Sequence, residues 1–95
     1  MKKKTGSGFS KTPVSCMQEP VLRQLVRIAG LQEMTIWRSR KQDWHLSVAV
    51  TQRSQVIYLS TRRAPRVTRA FTRLEAALAA GQRIRATRQV TVVLR

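Results

Sequence analysis

Acidic residues are scarce in this chain: four Asp plus Glu among 95 residues, against 19 Lys plus Arg. The four acids, Glu19, Glu33, Asp43 and Glu75, are scattered and show no paired-carboxylate spacing for acid–base chemistry. A single cysteine, Cys16, excludes an internal disulfide and fits a reducing compartment. Cys16 and the single histidine, His45, are too few to make a zinc site on their own. The chain has no P-loop and no GxGxxG. These shortages point away from an enzyme, and they imply no cofactor and no metal. No stretch approaches the roughly 20 apolar residues of a membrane span. Lys2, Lys3 and Lys4 open the chain, but no apolar run of signal-peptide length follows them. The expectation is a soluble, cytoplasmic protein with no membrane partner. Aromatics are only 5% of the chain, which argues against a base-stacking platform.

Positive charge is abundant. The formal net charge is +15 and the isoelectric point about 12.0. Self-repulsion of that size disfavours a compact state, and an anionic partner offsets it. Nucleic acid is the commonest such partner. Most of the cations are arginines, whose planar guanidinium pairs with phosphate in bidentate fashion and reads guanine edges. The hydrophobic fraction, 42%, is enough for one small folded domain.

Residues 1–13, "MKKKTGSGFSKTP", read as a flexible basic arm, with a solubilising tail as the alternative. Residues 14–95 read as a single α+β domain. Glu19 to Gly30 has helical spacing, with Pro20 suited to the first turn, Gly30 to the stop, and an apolar stripe through Val21, Leu22, Leu25, Val26 and Ile28 or Ala29. A period of two follows, in Met34–Arg40, Trp44–Val50 and Val56–Arg62. Trp44, Leu46, Val48 and Val50 take one face, and His45, Ser47 and Ala49 the other. Arg66–Phe71 is a candidate fourth strand beyond the turn at Pro65. Thr72 to Glu75, "TRLE", fits a capping box ahead of a helix through Leu74, Ala77, Leu78 and Gly81. The chain closes on an apolar strand, "QVTVVLR", central in the sheet or paired with its mate across a homodimer. The pattern is an N-terminal helix, an antiparallel meander of three to four strands packed on one helix, and a short C-terminal strand.

In such a meander one face is wet. Alternation puts Tyr58, Ser60 and Arg62 on that face, with Arg66 and Thr68 continuing it and His45 and Ser47 alongside. A basic sheet face of this kind fits the major groove of DNA. The candidate contacts are Arg62, Arg63, Arg66 and Arg69, with Tyr58 as an aromatic neighbour and Lys2, Lys3 and Lys4 adding non-specific affinity.

Residues 56–81, "VIYLSTRRAPRVTRAFTRLEAALAAG", resemble the three-strand-plus-helix DNA-binding modules of phage-type integrases and AP2 factors. They also resemble small plasmid partition-associated, ParC-like proteins. The resemblance implies sheet-mediated DNA binding and a place on a plasmid or other mobile element. The resulting expectation is a non-enzymatic DNA-binding accessory protein. The alternatives are an adaptor or inhibitor docking on an acidic protein surface, and an RNA-binding protein.

Overall fold

Seven elements alternate along the chain in a computed structural model that describes residues 15–51 and 56–94. They are β1 (Ser15–Met17), α1 (Glu19–Ala29), β2 (Leu31–Arg38), β3 (Trp44–Val50), β4 (Val56–Leu59), α2 (Leu74–Ile84) and β5 (Thr91–Val93). The strands form one sheet in the order β1-β4-β3-β2-β5. The central pairs, β2 with β3 and β3 with β4, are antiparallel, and the outer pairs, β1 with β4 and β2 with β5, are parallel. The class is α+β. The expected meander is its middle, and a parallel strand flanks it on each side.

Alternation explains the core. Met34 and Ile36 of β2, Leu46, Val48 and Val50 of β3, and Ile57 and Leu59 of β4 point to one side and are buried. Leu22 and Val26 of α1 and Ala77, Ala80 and Ile84 of α2 complete the same cluster. Both helices therefore cover one face of the sheet. On α2 the facing residues are small, and a Cβ on Gly81 would stand 2.6 Å from Met34 Sδ, so the bare glycine lets the helix sit close to the sheet. On α1 the apolar stripe is narrower than expected: Val21 and Ile28 remain 52% and 76% exposed.

The helix boundaries have separate causes. Pro20 lies in the first turn of α1, and the helix stops at Gly30, whose φ of 85° is open to glycine but not to side chains. The capping box at Thr72–Glu75 does not form. Arg73 is the extended residue before α2 and makes no side-chain cap, so the motif is out of step with the helix start. Glu75 still lies in the first turn, where a carboxylate opposes the helix dipole.

Three further expectations are corrected. β1 has no counterpart in the pattern expected from the sequence. Arg66–Phe71 is not a fourth strand: it makes only the isolated bridges Ser60–Thr68 and Trp44–Phe71. The C-terminal strand is short and lies at the sheet margin beside β2, not at the centre. The 1–13 arm, with Lys2, Lys3 and Lys4, lies outside the described residues. No helix among them is long and apolar enough to cross a membrane.

Candidate nucleic-acid interface

The pleat ends at Leu59, and this decides where the arginines go. Beyond it, Ser60 N–H donates to the Met17 carbonyl (2.9 Å), and Arg69 N–H donates back to Leu59 (2.8 Å). Between them the chain makes a tight excursion. Thr61 N–H donates to Val67 and Val67 N–H to Ala64, while Thr61 Oγ1 accepts from Ala64 N–H at 3.0 Å. Gln18 Nε2 donates to the Arg62 carbonyl (2.6 Å), tying the loop to the start of α1. The backbone is thus pinned at many points, and the guanidinium groups project from it.

The expected basic sheet face is therefore not what forms. The uncovered face carries Glu33, Thr35 and Trp37 of β2, His45, Ser47 and Ala49 of β3, and Tyr58 of β4, with no arginine in its paired register. The period of two predicted Arg62 beside Tyr58 only if β4 continued, and it does not.

The arginines gather instead in an open groove of about 770 Å³ at the carboxyl ends of β1 and β4. Its walls are the start of α1, the Thr61–Ala70 loop and the last turn of α2. Arg23, Arg62, Arg63, Arg69 and Arg83 line it, against one acid, Glu19. Arg62, Arg63 and Arg69 are thus brought together as a cluster, and Arg23 and Arg83 join from the helices. Arg66 is exposed on the same loop but does not line the groove. Tyr58 lies on the uncovered sheet face and does not line it either.

Glu19 organises the groove. Its two carboxylate oxygens accept Arg83 Nε and Nη2, each at 3.0 Å, in bidentate geometry, and Arg23 Nη2 donates to the same carboxylate at 3.0 Å. The Arg83 hydrogen bonds hold the Glu19 carboxyl below the usual carboxylate range, against the opposing pull of its partial burial, with Arg23 assisting. The same contact raises the Arg83 guanidinium above its already high range. Among the described residues, Arg62, Arg63 and Arg69 have no carboxylate partner. Arg69 is packed over the Phe71 ring, 4.6 Å from its centroid, which limits the freedom of its side chain.

This arrangement suits an anion with several oxygens. Guanidinium groups with no acid partner meet planar or tetrahedral oxyanions in bidentate fashion, and the groove is open enough for a chain of them. No local pattern in the sequence joins Glu19 and Arg83, because they meet across 64 positions of chain. The single usable signal was the shortage of acids itself. Among the described residues no group of three or more His, Cys, Asp or Glu side chains is placed to hold a metal. Compared with protein-family models, curated proteins and solved structures, the chain shows no significant match to any of them.

Proposed function

We propose that this protein is a small, non-enzymatic DNA-binding protein that holds the phosphate backbone in the arginine groove. The observation that carries this reading is the gathering of five arginines around one groove against a single carboxylate, with Arg62, Arg63 and Arg69 outside its ion pairs. Cations spread evenly over a surface give a generic polycation, whereas five in one cleft form a local site. The net charge of +15 adds long-range attraction and speeds encounter. An accessory role on a plasmid or other mobile element belongs to the same proposal and rests on the sequence resemblance of residues 56–81 alone.

The test is a salt titration of DNA binding by fluorescence anisotropy. The wild type should bind a random-sequence DNA at low salt and lose affinity steeply as salt rises, since each neutralised phosphate releases counterions. Arg62→Ala with Arg69→Ala should lower affinity and reduce the log–log salt slope by about 2, one for each phosphate that is no longer neutralised. Arg66→Ala, outside the groove, should change the slope less than either single groove variant. No binding at low salt, or a double variant indistinguishable from wild type, would remove the groove as the site. Tighter binding to RNA of the same sequence would overturn the choice of DNA.

A further inference from the structure

The sheet face opposite the helices is covered by no element among the described residues, and its surface is unlike the groove. Trp37 on β2 and Tyr58 on β4 flank Ser47 of β3. Tyr58 is the direct cross-strand partner of Ser47, and Trp37 leans diagonally so that its Nε1–H donates to Ser47 Oγ at 2.7 Å. Ser47 is left only 1% exposed, while both rings are half-buried and keep part of their surface open. The indole is thus fixed in place before any ligand arrives. The two residues lie two strands apart and two residues offset in register, roughly 12 Å at the backbone. The pairing around them brings no cation onto this surface.

The arginine loop forms the margin of this face as well as a wall of the groove. His45 Nδ1–H donates to the Arg69 carbonyl (3.0 Å) from the uncovered face. Cys16, on the same face of β1, reaches the Arg66 carbonyl and Thr68 Oγ1 through its sulfur, at 3.8 and 3.7 Å. An aromatic surface therefore adjoins a row of guanidinium groups across one short loop, and the carboxylate that shares this face, Glu33, lies four residues along β2 from Trp37, opposite Ala49 and hydrogen-bonded by Thr91. A single nucleic-acid strand has the complementary division, with anionic phosphates on one side and neutral π-faces on the other. In a duplex the π-faces are already stacked. A second copy of this chain is a poor occupant, because it brings another +15 to the same place.

We infer that Trp37 and Tyr58 form a stacking platform for two unpaired bases of a DNA strand whose phosphates lie along the arginine loop. The inference rests on the DNA-binding reading above and adds to it the class of DNA, single-stranded. Composition argued against such a platform because aromatics are few. The fold places two of the five on one open surface, and two rings serve two bases.

The experiment compares three probes by anisotropy: a short oligothymidylate, an abasic strand of the same length, and a duplex. The wild type should bind oligothymidylate roughly tenfold or more tighter than the abasic strand, given the usual gain from base–aromatic stacking. Trp37→Leu and Tyr58→Leu should each erase most of that difference with the salt slope unchanged, and Trp37→Phe and Tyr58→Phe should largely keep it. Equal wild-type affinity for the oligothymidylate and abasic strands would overturn the platform, and that comparison requires no variant to fold. If Arg62→Ala with Arg69→Ala still weakens binding in that case, the groove reading survives alone. Failure to bind any of the three probes at low salt overturns both.

Discussion

Glu19 takes up cationic capacity that a phosphate would otherwise use. Its side chain is 18% exposed and bonded to an Arg83 side chain that is 50% exposed, so the pair is partly screened and worth about 1 kcal/mol at most. Glu19→Gln should therefore lower thermal stability slightly, yet raise DNA affinity several-fold, since one negative charge a few ångströms from a phosphate costs about 1 kcal/mol even in water. Opposite signs in the melt and in the binding curve are the expected result; a loss in both would mean that Glu19 serves only to position the arginines. Because the Glu19 pKa lies lower in the folded state, its contribution to stability is present above the unfolded value, near 4.5, and is lost as pH falls through the folded value. Melts of wild type and Glu19→Gln should converge at acid pH. Tyr58 provides the alkaline counterpart. Burial, with the Cys16 charge second, raises its phenol above 10.0, and it is the chain's one tyrosine. Its stabilising contribution is intact below 10.0 and declines as pH rises through the folded value. Phenolate absorbance should show a single transition later than that of free tyrosine, and a normal midpoint would contradict the half-buried setting of the ring.

Local chemistry showed in the sequence where it sets an element and was hidden where a distant partner does. Trp44–Val50 alternates through its full length, because β3 is central and one side is entirely core, and its face assignment holds in the structure. Pro20 and Gly30 bracket α1 for reasons confined to their own backbones. Gly30 has φ 85° and ψ 152°, a region that is essentially glycine's alone, and a Cβ there would stand 3.1 Å from Thr51 Oγ1. Gly30→Ala should cost about 1–3 kcal/mol in chemical denaturation. An unchanged midpoint would show that the α1–β2 junction relaxes freely. β1, by contrast, has three residues and no periodicity, and it exists only because β4 offers a parallel edge. The arginine run misled for a related reason. Its spacing continues that of β4, but backbone bonds from Ser60 to Met17 and from Arg69 to Leu59 fold the chain back at that point. The residue types of the site were legible in the sequence, but their common location was not, because α1 and α2 supply Arg23 and Arg83 through tertiary packing.

At the scale of the whole molecule, +15 on 95 residues makes folding itself sensitive to anions, by two separable routes. Sodium chloride screens cation–cation repulsion, with a Debye length of about 10 Å at 0.1 M, and should raise the melting temperature gradually. A polyanion that binds the native groove acts by linkage instead, adding about 2.7 kcal/mol at a hundred times its dissociation constant. For a domain of this size that is on the order of ten degrees. Inorganic polyphosphate should therefore raise the melting temperature well beyond sodium chloride of equal ionic strength. Arg62→Ala with Arg69→Ala should keep the sodium chloride response, since most of the charge remains, and lose most of the excess due to polyphosphate. Equal excess in both proteins would locate anion binding across the surface as a whole and dissolve the groove as a site. The contrast works because screening acts on every charge, whereas linkage acts only on the oxyanions that these guanidinium groups hold in the folded state.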